Sequence, residues 1–297
     1  MFRKHLFAII YSVLLTAFTV YVAMDTFVIT RVYSTVAAAE TSTTLTEAEP
    51  EESTDLSEEP TYQDENITIT LTEYQEYDSS IYVADIQLSS PEYLKTALAQ
   101  NAYGKNVTEK TSAIALANNA ILAINGDYYG AQESGYVLRN GVIYRNKAEK
   151  GQEDLVIYED GSFEIITEDE VTAEELLEKG AVQILSFGPA LVTDGDISVT
   201  TREEVGKARS SNPRTAIGVI DDLHYVFVVS DGRTDDSEGL SLYQLAQFMS
   251  ELGVETAYNL DGGGSSSMVF NGTLINNPTT TGNSIKERSV SDIVYIG

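Results

Sequence analysis

Three consecutive glycines stand between two apolar runs near the C-terminus of this 297-residue chain, where residues Asn259–Met268 read NLDGGGSSSM. Ordering three glycines is costly, because glycine loses more backbone freedom on folding than any other residue. Such a run is typical of a turn that needs positive φ angles or that brings backbone N–H groups against a ligand. A flexible hairpin tip is the alternative, but a tip does not require Asp261 before the glycines and three serines after them. We therefore expect a turn that binds an anion or a sugar.

The composition excludes several kinds of site. The chain has no cysteine, which excludes disulfides, thiolate nucleophiles and thiolate metal sites. Its two histidines are His5, beside an apolar segment, and His224, in a strand-like run with no evident partner, so a Ser-His-Asp triad and a histidine-rich zinc site are disfavoured. The net charge of −28 disfavours nucleic-acid binding, which depends on clustered Lys and Arg. Catalysis then depends on carboxylate, amide, hydroxyl and guanidinium groups.

The first 31 residues carry the pattern of a membrane anchor. Arg3 and Lys4 precede an apolar span from Leu6 to Met24, whose length at about 1.5 Å per residue roughly matches a bilayer. The positive flank favours a cytoplasmic N-terminus and an exported remainder. A cleavable signal peptide, cut near Ala37–Ala39, is the alternative. We predict a single-pass anchor in the cell membrane with an extracellular C-terminal domain, or a secreted protein if the segment is cleaved.

Residues 32–65 are predicted to be an acidic, disordered linker. Ten carboxylates lie between Glu40 and Glu65, and no Lys or Arg occurs between Arg31 and Lys95. High like charge with little apolar content cannot bury enough surface to fold, and self-repulsion keeps the chain extended. We interpret this segment as a stalk that holds a single domain, residues 66–297, off the membrane.

That domain is predicted to be α+β, with a mixed β-sheet and a few packed helices. Two helices begin at capping boxes, Thr172 to Glu175 and Ser241 to Gln244, and end near Gly180 and Gly253. Alternating or continuous apolar runs predict strands. These are Ile81–Leu88, Ala120–Ile124, Val142–Tyr144, Leu155–Tyr158 and Phe163–Ile166, with a turn at Asp160-Gly161.

A β-α-β unit is predicted where strand Tyr225–Ser230, the second helix and strand Thr256–Leu260 follow one another. The unit places Asp231 and Asp261 at the carboxyl ends of two parallel strands, where open α/β sheets bind their ligands. Two further segments combine turn residues with polar groups at the ends of apolar runs. These are Asn125-Gly126-Asp127 and Asn212-Pro213-Arg214, and Arg233 follows Asp231 closely.

An ordered series of motifs in the C-terminal part resembles the phosphodiester glycosidase family, from about Asn212 to the C-terminus and more weakly back to about Ile67. The matching segments are PRTAIG at 213–218, SDG at 230–232, GLSL at 239–242, NLDGGGS at 259–265, NGTL at 271–274 and RSVS at 288–291. Asn125-Gly126 resembles an earlier Asn-Gly segment of the family. Asp127 and the Tyr128-Tyr129 pair depart from the glycine and phenylalanines common there, and Arg233 is not universal in the family pattern.

The resemblance implies hydrolysis of a sugar-1-phosphodiester on cell-surface or extracellular glycoconjugates, with release of free sugar and a phosphomonoester. Such a site needs cationic and N–H contacts to phosphate, and a carboxylate that stabilises an oxocarbenium-like centre or activates water. The residues that we assign to these tasks fall into two groups. Asp231, Asp261 and Asn125 are predicted to be catalytic, and Arg214, Arg288, Arg233, Gly262, Gly263, Gly264, Ser265 and Asp127 to bind substrate.

No motif requires a cofactor, and the sequence leaves metal ligation open. The first alternative function is a calcium-dependent carbohydrate-binding module without turnover, with Asp127, Asp231 and Asp261 as ligands, which the acidic surplus and exported location would allow. The chain shows no dense Asp-x-Asp-x-Asp loop. The second alternative, a structural cell-surface stalk protein, leaves the motifs unexplained.

Overall fold

The structure is a computed structural model that describes residues 2–36, 61–201, 211–281 and 284–297. The helices are α1 (Phe2–Phe27), α2 (Thr111–Ala117), α3 (Ala173–Glu178) and α4 (Leu242–Glu251). The strands, in chain order, are β1 (Arg31–Thr35), β2 (Thr61–Gln63), β3 (Ile67–Glu76), β4 (Ser79–Leu88), β5 (Leu94–Leu98), β6 (Ala102–Lys105), β7 (Glu109–Lys110), β8 (Leu122–Asn125), β9 (Val137–Arg139), β10 (Val142–Arg145), β11 (Glu153–Tyr158), β12 (Phe163–Thr167), β13 (Ala181–Leu185), β14 (Ala190–Thr193), β15 (Asp196–Ile197), β16 (Arg214–Asp221), β17 (His224–Ser230), β18 (Thr256–Leu260), β19 (Met268–Phe270), β20 (Thr273–Leu274), β21 (Ser289–Val290) and β22 (Asp292–Ile296).

Three sheets form the body of the domain. The largest has eight strands in the order β15-β14-β18-β16-β17-β4-β3-β2, and the other two have five strands each, ordered β10-β9-β13-β11-β12 and β20-β19-β8-β22-β5. Two further pairs, β1-β6 and β21-β7, lie outside them. The α+β class, with β-sheet and a few packed helices, is confirmed. The expected mixed sheet is antiparallel at every pairing in the described part of the chain.

The predicted β-α-β unit exists, with one strand more than expected. β17 and β18 both pair antiparallel with β16, so they run parallel to each other on either side of it. α4 connects them, and its capping box at Ser241 and Gln244 is present. Asp231 and Asp261 therefore follow two parallel strands at one end of the eight-stranded sheet, as predicted, with the start of β16 between them.

The two faces of this sheet are buried differently, because side chains alternate along each strand. Ala216, Val226 and Val228 pack under α4, whose Leu245 and Met249 are buried in the same cluster. The opposite face is buried against the two five-stranded sheets in a larger core. That core includes Ile69, Ile86, Leu122, Ile124, Leu155, Leu185, Ile217, Phe227, Leu260, Val294 and Ile296.

The N-terminal helix contains the apolar segment Phe7–Phe27, which has a mean hydropathy of 2.1 and is long enough to span a membrane. None of the apolar window in this segment is buried against the rest of the described chain. Of the predicted linker, residues 37–60 lie outside the described residues, as does the cleavage site near Ala37–Ala39. Strands flank that stretch: β1 pairs with β6, and β2 pairs with β3.

Two acidic side chains, Glu168 and Asp154, are buried at the five-stranded sheet ordered β10-β9-β13-β11-β12. Glu168 accepts hydrogen bonds from the Tyr136 backbone N–H at 2.6 Å and from the Ser186 hydroxyl at 3.1 Å. Asp154 is fully buried, and among the described residues neither of its carboxyl oxygens has a hydrogen-bond partner. Burial and the neighbouring negative charge of Glu168 raise the pKa of Asp154 well above its ordinary value. Asp154 is therefore most compatible with folding when it is protonated.

We expect Asp154→Asn to stabilise the protein at neutral pH. A group whose pKa is raised in the folded state contributes stability below its unfolded pKa and loses it as pH rises through the folded pKa. An amide avoids that loss, so the gain should be about 1–3 kcal/mol at pH 8 and absent near pH 4. Thermal unfolding of Asp154→Asn at both pH values, against the exposed control Asp222→Asn, measures the difference. Equal shifts for the two variants at pH 8 would contradict this account.

Candidate active site

The glycine turn after β18 is shaped by close contacts on both sides. Gly263 has a φ of +65°, in the left-handed region that favours glycine. A Cβ atom on Gly264 would lie 2.0 Å from the Thr280 hydroxyl, and one on Gly262 would lie 2.9 Å from the Pro213 carbonyl oxygen. The three glycines are therefore required by backbone conformation and by the approach of two other loops, which explains why the chain tolerates their entropic cost.

Asp261 lies at the start of this turn and is bound by Arg288 and Ser265. Arg288 Nη2 donates to both carboxylate oxygens, at 3.0 and 2.8 Å, and to the Gly262 carbonyl at 3.0 Å. Ser265 Oγ donates to Asp261 at 2.6 Å and accepts from Arg288 Nε at 2.8 Å. Burial raises the pKa of Asp261, and the nearby Arg288 charge opposes that rise. The Asp261 carboxylate is thus held in one orientation beside the partly exposed guanidinium of Arg288.

Asp231, at the end of β17, is held by the amide groups of two asparagines. One oxygen accepts from Asn276 Nδ2 at 3.0 Å and from the Asn277 backbone N–H at 2.8 Å, and the other accepts from Asn277 Nδ2 at 3.1 Å. The Tyr82 hydroxyl lies 3.5 Å from the second oxygen. Burial and the charge of Asp231 raise the pKa of Tyr82 to about 12, so Tyr82 keeps its proton and can donate it.

The two carboxylates lie at the same end of the sheet but on different strands. Arg214 is opposite Ser230, and Thr215 is opposite Leu260, so the start of β16 runs between Asp231 and Asp261. Two strand spacings separate the backbones by roughly 10 Å. Arg214 is buried, and its Nε donates to the Leu240 carbonyl at 2.9 Å. The backbone of Arg214 thus lies between the strands that end at the two acids.

Arg233 and Arg288 converge on the glycine turn. A Cβ on Gly263 would lie 3.1 Å from both terminal nitrogens of Arg233. Arg233 is itself held by neutral groups: it donates to Asn212 Oδ1 at 3.1 and 2.7 Å and to the Thr280 carbonyl at 2.7 Å. Burial and repulsion from Arg288 lower the pKa of Arg233. Two cations brought together, with no carboxylate of the described residues paired with Arg233, favour the binding of an anion at this turn.

Asn125 and Asp127 support the site from the neighbouring sheet. Asn125 is fully buried: its Nδ2 donates to the Asp261 carbonyl at 2.6 Å, and its Oδ1 accepts from the Thr215 hydroxyl at 2.8 Å and from the Ser267 N–H at 3.2 Å. These bonds join β8, β16 and both sides of the glycine turn. Every polar atom of the Asn125 side chain is thereby used in positioning the turn.

Asp127 belongs to a buried ion cluster. It accepts from Arg139 Nη2 at 2.6 Å and from the Ser186 N–H at 3.0 Å with one oxygen, and from the Tyr129 N–H at 2.9 Å with the other. Asp292 shares the same guanidinium at 2.7 Å. Both oxygens of Asp127 are directed at protein groups, so we interpret its role as structural rather than as the predicted contact with substrate.

Several residues of the site were missed from the sequence. Asn276 and Asn277 orient Asp231, Tyr82 lies beside it, and the Thr280 carbonyl accepts a hydrogen bond from Arg233. The only local signal among them was the Asn277-Pro278 dipeptide, which is typical of a turn. The contacts that these residues make depend on the order of the strands in the sheet, and a turn signal gives no information about that order.

The calcium-module alternative predicted that Asp127, Asp231 and Asp261 bind one ion together. Within the described residues, no group of three or more His, Cys, Asp or Glu side chains is placed to hold a metal ion. Asp127 contacts Arg139, and Asp261 contacts Arg288, so each has a cationic partner of its own. The geometry thus brings Asp231, Asp261 and three arginines to one end of the sheet. Asp127 lies instead in the buried ion cluster with Arg139.

Comparisons with known proteins place the C-terminal part of the chain among glycosidases. The family model described as "Phosphodiester glycosidase" matches residues 118–297. The mouse N-acetylglucosamine-1-phosphodiester alpha-N-acetylglucosaminidase is 29% identical over 175 residues, which cover 53% of this chain and 33% of the mouse protein. The Bacillus subtilis SPbeta prophage-derived uncharacterized protein YomE is 29% identical over 180 residues, 59% of this chain and 28% of that protein. The chain thus spans about a third or less of these relatives.

Two solved structures share the fold. The zebrafish N-acetylglucosamine-1-phosphodiester alpha-N-acetylglucosaminidase catalytic domain, auto-inhibited by its pro-peptide, superimposes with a TM-score of 0.61 at 22% identity and covers 77% of this chain and 82% of its own. A hypothetical protein from Synechocystis superimposes with a TM-score of 0.55 at 15% identity, over 78% of this chain and 62% of its own. At these identities the superpositions establish the fold alone.

Proposed function

This chain belongs to the phosphodiester glycosidase family, and we propose that it hydrolyses a sugar-1-phosphodiester to free sugar and a phosphomonoester. The observation that carries the proposal is the pair Arg233 and Arg288 at the Gly263 turn, directly beside the buried carboxylate of Asp261. A phosphodiester bears one negative charge, and guanidinium groups match its oxygens in geometry and charge. In such a substrate the phosphate is directly bonded to the sugar carbon that reacts. The two arginines and Asp261 are likewise next to each other, so the arginines can bind the phosphate while the carboxylate faces the sugar carbon.

The proposed reaction needs little acid catalysis. Water attacks the anomeric carbon, the bond from that carbon to the phosphate oxygen breaks, and the electron pair leaves with the phosphomonoester. This leaving group is stable as an anion, so a strong general acid is less necessary than in other glycosidases. A carboxylate, Asp231 or Asp261, takes the proton of the attacking water or stabilises the positive charge that develops on the sugar. The arginines stabilise the charge that develops on the phosphate.

The name of the mouse relative supports the substrate class, since it states a sugar-1-phosphodiester as the bond that is cleaved. We propose glycoconjugates outside the cytoplasm as the natural substrates, because the apolar helix α1 and the Arg3-Lys4 flank favour export of the domain. Protease added to intact cells tests this location. A shortened chain on a denaturing gel supports it, and a chain that stays intact until lysis overturns it.

The activity is tested with the full-length chain in detergent micelles. A hexose-1-phosphodiester should yield free reducing sugar and phosphomonoester in equal amounts, and the double variant Asp231→Asn with Asp261→Asn should yield neither. Parallel reactions with and without a chelator address the calcium alternative. Absence of turnover by the parent chain under both conditions overturns the proposal, and calcium-dependent sugar binding without turnover supports the carbohydrate-binding module instead.

A further inference from the structure

The segment that follows α1 is built into the domain as a strand. β1 begins at Arg31, four residues after the last residue of the helix, and pairs antiparallel with β6 from Arg31 opposite Lys105 to Thr35 opposite Ala102. A Cβ on Gly104 would lie 2.0 Å from the Arg31 carbonyl oxygen, so the approach of β1 requires the glycine there. We call residues 25–36 the strap.

The strap is also fixed at its junction with the helix. Asn106 Nδ2 donates to the Thr26 carbonyl at 3.2 Å and to the Ile29 carbonyl at 3.0 Å, and Thr30 Oγ1 donates to the Asn106 carbonyl at 3.3 Å. Thr26 lies in the last turn of α1, where carbonyl groups have no partner within the helix. An ion pair between Asp25 and Arg31 crosses the same junction. The Asn106 side chain thus caps the apolar helix, and these contacts restrict rotation of the helix relative to the domain.

The strap is coupled to the interior of the domain through aromatic rings. Tyr33 lies against Tyr103, with ring centroids 5.9 Å apart, and Tyr103 stacks on the buried Tyr129 at 5.4 Å. Cleavage beyond the strap would remove β1 and leave the edge of β6 unpaired. These contacts therefore favour an N-terminal segment that is retained in the mature protein.

The junction of the strap with the domain is connected to Arg288 by a short stretch of chain. From Asn106 the chain leads to β7, whose Lys110 pairs with Ser289, the neighbour of Arg288. The distance from Asn106 to Arg288 is therefore at most about 22 Å. This is the sum of four extended residues from Asn106 to Lys110, one strand spacing to Ser289 and one step along the chain to Arg288. The β16–β17 turn at Asp222 lies at the other end of the sheet, because the eight residues of β16 extend about 26 Å from Arg214.

We propose that the strap holds the domain directly on the bilayer that α1 enters, with the active-site end towards the lipid, and that the substrate is a sugar-1-phosphodiester carried by that membrane. The proposal rests on the proposed function for the identity of the substrate, but not for the placement of the domain. It replaces the interpretation of residues 32–65 as a stalk: the connection to the membrane is the short strap, and residues 37–60 join two strands of the same domain.

Placement is tested with full-length protein in vesicles. Because the chain has no cysteine, Glu133→Cys, beside Lys105 at the strap end, and Asp222→Cys, at the far turn, each give a single labelling site. A short-range quencher on lipid headgroups should quench a fluorophore at position 133 strongly and one at position 222 weakly. Equal quenching at the two positions, or none at either, overturns the placement.

A matched pair of insertions identifies the connection that matters. Six Gly/Ser residues between Ile29 and Thr30 should lower quenching at position 133, because they add about 20 Å of chain at the junction. The same six residues between Ser53 and Thr54 should leave quenching unchanged. If only the second insertion lowers quenching, the acidic segment carries the domain and the strap proposal is wrong.

Substrate choice is tested with the same variants. The insertion after Ile29 should lower turnover of a sugar-1-phosphodiester lipid in the same vesicles at least about fivefold, because it dilutes the site relative to the surface. It should leave turnover of a water-soluble sugar-1-phosphodiester unchanged. Equal effects on both substrates overturn the membrane-borne substrate. If the parent chain turns over neither substrate, the proposed function fails, while the quenching measurements still decide the placement.

Discussion

Replacing Asp261 by asparagine is expected to lower kcat on a sugar-1-phosphodiester by at least about 10²-fold while the protein stays folded. Asparagine keeps the shape of the side chain, and with its oxygen in the place of Oδ2 it can still accept from Arg288 and from Ser265, so that only the 3.0 Å contact of Arg288 with the other oxygen is lost. The negative charge beside the reacting carbon is lost. Steady-state kinetics together with thermal unfolding separates loss of catalysis from loss of structure.

Asp231→Asn is expected to have an effect of similar size. The oxygen that accepts from Asn276 and from the Asn277 N–H is retained, and a flip of the Asn277 amide accommodates the new donor on the other side. The matched control is Asp85→Asn, an aspartate of the same sheet that pairs with His224 on the surface. Normal turnover by both site variants would show that the carboxylate assignment is wrong, and a large loss in the control would point to a general effect of charge.

The pH profile distinguishes catalysis by Asp261 from a role in positioning Arg288. Burial raises the pKa of Asp261 above its ordinary value, so activity that depends on its charged form should fall as pH drops through that raised pKa. In Asp261→Asn, this acidic limb of kcat/KM should disappear or move to lower pH. A variant that is slower but keeps the same limb would assign the titrating group elsewhere, with Asp231 as the next residue to test.

Local features of this fold were predictable because they depend on near neighbours. The capping boxes at Thr172 and Ser241 each join residues three positions apart, and both form as predicted. The hairpin between β11 and β12 follows from the turn at Asp160-Gly161 and from alternating apolar residues. Such signals are contained in a few consecutive residues, and they needed no knowledge of the sheet order.

Contacts across the sheets were not predictable in the same way. A unit of strand, helix and strand places Asp231 and Asp261 at one end, but nothing in its sequence shows that β16 pairs between the two strands. Asp127 stands in a motif that resembles a binding loop, yet its partner Arg139 comes from another sheet. The sequence of residues 31–35 gave no indication that they pair with β6, because that pairing depends on the space that Gly104 leaves. Each of these outcomes depends on long-range packing.

Replacing Arg233 by glutamine is expected to lower kcat/KM on a sugar-1-phosphodiester by roughly 10- to 150-fold, because a charge-assisted contact is worth about 1.5–3 kcal/mol. Arg233 is the clearest test of phosphate recognition in this site. It is held by Asn212 and the Thr280 carbonyl, whereas Arg288 also binds Asp261, so Arg288→Ala would disturb phosphate binding and the carboxylate together. Arg233→Lys retains the charge and should recover part of the loss, mainly in KM.

A neutral aryl glycoside is the control substrate, since it lacks the phosphate charge. If Arg233 binds phosphate, Arg233→Gln should change kcat/KM on the glycoside by less than about threefold. The same two substrates assign Arg214, whose Nε is bonded to the Leu240 carbonyl: Arg214→Ala should impair only the phosphodiester if Arg214 reaches phosphate, and both substrates if it supports the loop. Equal losses on charged and neutral substrates for Arg233→Gln would refute phosphate recognition at the Gly263 turn, because a residue that acts on the phosphate cannot affect a substrate without one.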